Sequence, residues 1–116
     1  MERQEISKTA DEKVRMANVG ETADITLENL WETIEKRQGE IFYTVKQLPF
    51  SYTVKGGEFF TPRKKKSITK ATFEMAFMKI KEDYEHRITG PKALNCFGAP
   101  YVWAVLKALG IKAPEQ

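Results

Sequence analysis

The stretch IFYTVKQLPFSYTVKGGEFFT, Ile41 to Thr61, decides the fold of this chain. Within it the runs IFYTVK, FSYTVK and EFFT alternate with a period of two and are rich in aromatic and β-branched residues, the pattern of strands rather than helices. Gly56-Gly57 is a two-residue hairpin signal, because the tight turns that match the twist of paired strands favour positive φ at their centre. The second and third runs are therefore expected to pair. Pro49 has no N–H for a ladder, so it belongs in the connection from the first run or at a strand start. The simplest arrangement is a three-stranded antiparallel β-meander. The repeated Tyr-Thr-Val-Lys at 43–46 and 52–55 is a coincidence of good strand formers.

Helical patterns flank this stretch. Thr26 is placed to cap a first helix, with Ile25 and Leu30 in the staple positions. Leu27, Leu30, Trp31 and Ile34 recur at helical spacing and share a face, Lys36 and Arg37 suit the negative end of the dipole, and Gly39 closes the helix. On the other side Ser67 or Thr69 caps a long amphipathic helix running toward Arg87, with Phe73, Ala76, Phe77, Ile80 and Tyr84 as its stripe. Gly90-Pro91 breaks the chain before one helical turn at Lys92 to Asn95. A last helix carries Pro100 in its first turn, is apolar all round from Tyr101 to Leu106, and ends at Gly110 with Ile111 as the hydrophobic contact of its cap. The expected class is α+β: N-terminal helix, meander, long amphipathic helix and a buried C-terminal helix, the helices covering one face of the sheet. Residues 1–24 are polar and read as a loose tail, with a short helix over Thr9 to Ala17 as its one candidate element, and 25–116 read as a single domain.

Composition sets the outer limits. At 116 residues with 41 % hydrophobic and 11 % aromatic residues, one domain with a true core is expected. The first twenty residues hold no apolar run, so no secretory leader is expected, and the longest uncharged stretch, Ala93 to Leu106, is shorter than the ~20 residues that span a membrane. Lone Cys96 and lone His86 cannot supply an intramolecular disulfide or a four-ligand zinc site. Neither a metal nor another cofactor is expected, and the location is read as cytoplasmic.

Charge supplies the sharpest feature. The net charge of +3 divides unevenly: residues 1–40 hold six basic and ten acidic side chains, whereas residues 41–70 hold seven basic ones and a single acid, Glu58. Such asymmetry points toward an anionic partner. Its centre is Arg63, Lys64, Lys65, Lys66, Ser67, Thr69 and Lys70, at the junction of a hairpin and a helix start, where cations, backbone N–H groups and the helix dipole together make a phosphate receptor. The competing reading is a solvated charge run. Ser67 to Phe73 resembles the opening of a recognition helix in helix-turn-helix proteins, but a hairpin and a basic run precede it in place of that motif's first helix and short turn. A winged or ribbon-plus-helix DNA reader is compatible with this order.

The remaining candidates have structural explanations. Phe42, Tyr43, Phe50, Tyr52, Phe59 and Phe60 interleave with Lys46 and Lys55 as in sheets that stack single-stranded bases, yet alternation must turn some of these rings into the core. His86 lies among Glu82, Asp83, Glu85 and Arg87 as a solvated helix residue, and Cys96 reads as a small buried hydrophobe without a base beside it. No catalytic constellation is found. The expected function is a small non-enzymatic nucleic-acid-binding protein, DNA before RNA. The alternative is an interaction module or inhibitor that engages an acidic protein surface or forms a homodimer through apolar helix surface.

Overall fold

The computed structural model of the chain describes residues 25–115. The loose tail expected over 1–24, with its short helix, lies outside the described residues. Helix α1 (Leu27–Lys36) starts where the capping signal puts it: Asn29 N–H donates to Thr26 Oγ1 at 3.3 Å, and Thr26 N–H donates back to Asn29 Oδ1 at 2.8 Å. This is a capping box closed by Asn rather than Glu or Gln. Leu30, Trp31 and Ile34 are buried, while Leu27 is 39 % exposed, so the apolar stripe is narrower than its spacing suggests.

The strands form a meander, but one displaced along the chain. Of the first expected run only β1 (Phe42–Tyr43) pairs, antiparallel with β2 (Pro49–Phe50), making a separate two-stranded ribbon. Its connection is drawn closed by Thr44, whose N–H donates to the Leu48 carbonyl at 3.1 Å and whose Oγ1 accepts from Leu48 N–H at 3.2 Å. The three-stranded antiparallel sheet is β3 (Thr53–Lys55), β4 (Glu58–Thr61) and β5 (Lys64–Thr69). The Gly56-Gly57 hairpin is as expected, with Lys55 opposite Glu58, although only Gly56 takes a positive φ (+59°), the pattern of a type II′ turn. The correction is β5: the basic run is an edge strand, not an exposed turn. The reason is that Ile68, fully buried, completes a cross-strand row with Val54 and Phe59, while lysines on an edge strand remain in water.

Helix α2 (Lys70–Lys81) is capped by Thr69, whose Oγ1 accepts from Thr72 N–H; Ser67 belongs to β5. It buries Phe73, Ala76, Phe77 and Ile80 but stops well short of Arg87. The Asp83 carboxylate accepts from the N–H groups of Arg87 (2.8 Å) and Ile88 (2.9 Å), which holds its pKa below the usual carboxylate value and folds the chain into a loop that leaves Tyr84 66 % exposed. A 3₁₀ turn (Pro91–Leu94) precedes α3 (Ala99–Ala108), which is buried from Val102 through Leu106. Its end is a Schellman motif: Ile111 N–H bonds the Leu106 carbonyl, Gly110 N–H bonds that of Lys107, and Ile111 is buried.

One cluster of buried apolar side chains joins all these elements. Through it runs an unbroken file of aromatic rings, Trp31, Phe73, Phe59, Tyr52, Phe42, Phe50 and Tyr101, with successive centroids 4.4–5.9 Å apart. The polar tips are satisfied. Trp31 Nε1–H donates to the Gly56 carbonyl at 3.1 Å, tying α1 to the hairpin, and Tyr52 O–H donates to the Ile34 carbonyl at 2.7 Å, tying the sheet to the end of α1.

Tyr52 makes stability depend on alkaline pH. Its burial pushes the phenol above the ordinary value, against the weaker opposing effect of Arg37. The folded state therefore keeps its proton where the unfolded chain, with an ordinary tyrosine pKa of about 10, has begun to lose it. The contribution is intact below about pH 10 and is lost as pH rises further. Tyr52→Phe is expected to cost about 1 kcal/mol at neutral pH through the lost hydrogen bond. In urea titrations the gap between wild type and variant should then narrow above about pH 10; a gap that stays constant would exclude Tyr52 as the source.

Candidate nucleic-acid interface

The seven residues singled out by charge come together along β5 and the first turn of α2, but most are engaged within the protein. Arg63 Nε–H donates to the Pro49 carbonyl at 2.6 Å, clamping the approach to β5 onto the ribbon. Ser67 O–H donates to the Glu58 carboxylate across the strand pair. Thr69 caps α2, and Lys70 lies 3.9 Å from Glu74 in an exposed pair of the kind worth at most about 1 kcal/mol. Lys64 Nζ sits 4.1 Å from the centroid of the Phe97 ring, a cation–π contact.

The helix N-terminus is also partly engaged. Lys70 N–H, the first of α2, donates to the Gly57 carbonyl at 2.8 Å, and Thr72 N–H goes to Thr69. Glu58, paired directly opposite Thr69, puts a carboxylate at this end. Two of the N–H groups at the helix end expected to cradle a phosphate are thus taken within the protein, one of them by the hairpin it follows.

Lys65 and Lys66 differ. Between the pairs Phe59–Ile68 and Thr61–Lys64, β4 advances two residues and β5 four, so Phe60 alone faces the bulged segment containing both lysines. Both are exposed, and neither has a hydrogen-bond or ion-pair partner among the described residues. No family model, curated protein or solved structure matches this chain. What the surface does must be read from its own geometry.

Of the six strand aromatics, Phe42, Phe50, Tyr52 and Phe59 are core, whereas Tyr43 (56 % exposed) and Phe60 (40 %) face solvent. Only Phe60 adjoins the lysine bulge. Phe97 was not foreseen as part of this surface: nothing in Cys96-Phe97-Gly98 signals that the segment folds back on Lys64. Among the described residues no cluster of three or more metal-ligating side chains exists, and no helix is long and apolar enough to cross a membrane. Burial holds the half-buried Cys96 thiol above its ordinary pKa, with Lys79 opposing, which disfavours the nucleophilic thiolate. His86 lies outside any helix at φ +56°, its Nε2 2.7 Å from the Pro114 carbonyl.

Proposed function

We propose that the chain is a small, non-enzymatic, cytoplasmic nucleic-acid-binding protein whose basic patch is the bulge of β5. Lys65 and Lys66 contact phosphates, with Lys64 beside them, and DNA is the first polymer to test. Arg63, Ser67, Thr69 and Lys70 serve this surface by fixing the strand and the start of α2. The observation that carries the reading is the pair of unpartnered lysines lifted out of the sheet on an edge that faces solvent. Phosphate contacts of this kind give affinity without sequence information.

Fluorescence anisotropy with labelled duplex DNA, single-stranded DNA and RNA between about 50 and 200 mM salt is the direct test. Micromolar binding that weakens steeply with salt is expected. Lys65→Glu combined with Lys66→Glu should weaken it by roughly tenfold or more and reduce the slope of log K against log salt by about two, one per lost phosphate contact. No binding in low salt, or a double variant that behaves as wild type, would sink the proposal. An acidic protein engaging the same lysines is the alternative. A homodimer is the other, on the apolar side chains Met75 and Met78 that α2 leaves exposed, and it would appear as concentration-dependent sedimentation.

A further inference from the structure

The lysines of β5 leave a second surface unexplained. Ile41, Tyr43, Val45 and Leu48, all large, apolar and 45–59 % exposed, crowd the β1–β2 ribbon. Exposed apolar side chains that cluster mark interaction sites, whereas scattered ones need no explanation. Val45 and Leu48 form one wall of an open groove of about 640 Å³, and Pro91, Ala93, Pro100 and Tyr101 form the other. That volume lies within the ~300–1,000 Å³ of typical recognition pockets.

Charge at the groove is one-sided. Lys46 rises from the ribbon wall and Lys92 from the facing 3₁₀ turn, and no Asp or Glu lines the groove. Neither ammonium group has a hydrogen-bond or ion-pair partner among the described residues. On the other flank of the ribbon Thr44 and Val45 also wall a groove of about 510 Å³ against Trp103, but its cations are engaged, Arg37 with Glu40 at 2.8 Å and Lys107 over the Trp103 ring. The apolar channel between Lys46 and Lys92 favours an occupant with apolar anchors and negative flanks, and it repels a basic one.

The walls are preformed. Thr44 bonds both backbone groups of Leu48, Gln47 N–H donates to the Thr44 carbonyl at 2.8 Å, and the 3₁₀ turn is pinned by the fully buried Leu94, whose carbonyl accepts from Lys79. Walls that need no ordering at the moment of binding cost little entropy. We infer that this groove docks an extended segment of a partner protein in which large apolar side chains are flanked by carboxylates. The site is separate from β5 and does not depend on how the lysines there are used.

A phage-displayed library of random dodecapeptides, selected against the folded protein, supplies the probe. Enriched peptides should carry apolar anchors with Asp or Glu on either side, and their synthetic versions should bind Leu48→Asp at least tenfold more weakly. Lys46→Glu combined with Lys92→Glu should redirect a repeat selection toward Lys- or Arg-flanked peptides. Lys65→Glu with Lys66→Glu should leave peptide affinity unchanged, which separates this site from the phosphate surface. The substituted side chains are exposed, so circular dichroism melts of the variants should match wild type. Absence of enrichment, peptides without acidic bias, or affinity that survives Leu48→Asp each overturns the assignment. So does a wild-type dimer that Leu48→Asp makes monomeric, because the occupant is then a second copy of this chain.

Discussion

Gly98→Ala should destabilise the protein by about 2–5 kcal/mol, far more than adding one methyl group at a half-buried loop position ordinarily would. Two costs combine. Gly98 is the residue before α3 and holds φ at +69°, a left-handed conformation that costs an L-residue with a Cβ about 1–2 kcal/mol. The new Cβ would also fall on Ile68 Cδ1 and lie 2.8 Å from Cγ1. Ile68 is fully buried in the row with Val54 and Phe59, so its side chain has no empty space to enter, and overpacking of this kind costs roughly 1–3 kcal/mol. Urea unfolding at neutral pH measures the sum. Gly98→Ala with Ile68→Val, which removes the clashing Cδ1, should be less destabilised than the two single losses added together, because relief of the overlap is a coupling between the sites. A loss below about 0.5 kcal/mol for Gly98→Ala, the range of ordinary surface substitutions, would contradict the packing described.

Phe73→Ala should cost still more, about 3–5 kcal/mol. Phe73 is fully buried and lies between Trp31 (5.8 Å) and Phe59 (4.8 Å) in the aromatic file, so it links both packed helices to the sheet. Truncation removes the transfer free energy of a ring and leaves a cavity that the rigid neighbours on either side cannot close. Because small domains are stable by only about 5–15 kcal/mol, the alanine variant should have a melting transition lowered by tens of degrees, or none. Phe73→Leu retains most of the volume and should lose about 1–2 kcal/mol while remaining cooperative. Scanning calorimetry distinguishes these outcomes. A Phe73→Ala protein that melts within a few degrees of wild type would mean that the file of rings is not continuous through α2.

These sites show what the sequence made legible. Thr26, Gly56-Gly57, Thr69, Pro100 and Gly110 each act on backbone groups within a few residues, Pro100 by removing a first-turn donor rather than by bonding one, and the structure uses all of them at the positions their chemistry indicates. The misread elements depend on distant partners. Lys64 to Thr69 looks like a solvated run because only Ile68 must be inside, and the residue that draws it inside, Phe59, lies across the hairpin. The apparent strand 50–55 divides because the Tyr52 hydroxyl reaches back to Ile34 while its carbonyl accepts from Gly39 N–H, commitments that α1 imposes. The long helix stops early because Asp83 captures two downstream N–H groups, which helical periodicity does not register.

The candidate site follows the same division. Its cations were visible as a run, but their partners were not: Pro49 for Arg63, Glu58 for Ser67 and Phe97 for Lys64 are each remote in sequence. Val45 and Leu48 were hidden for the opposite reason. Val45 lies in a strand-like run and Leu48 in the connection that follows it, and only the three-dimensional course of the ribbon brings the two together in solvent beside the 3₁₀ turn.

The Gln38 side chain has a role that its exposed position conceals. Val54 N–H points away from β4, off the outer edge of β3, and Gln38 Oε1 accepts it at 2.9 Å while Gly39 N–H takes the Tyr52 carbonyl just before it. That edge therefore offers no open donor at Val54 to a foreign strand, and the opposite edge presents mutually repelling lysines. Both edges of the folded sheet are thus disfavoured for strand addition. The buried aromatic residues Phe42, Phe50, Tyr52 and Phe59 become available to a cross-β fibril only after the molecule opens, so aggregation is expected to follow the rate of unfolding more closely than the native concentration.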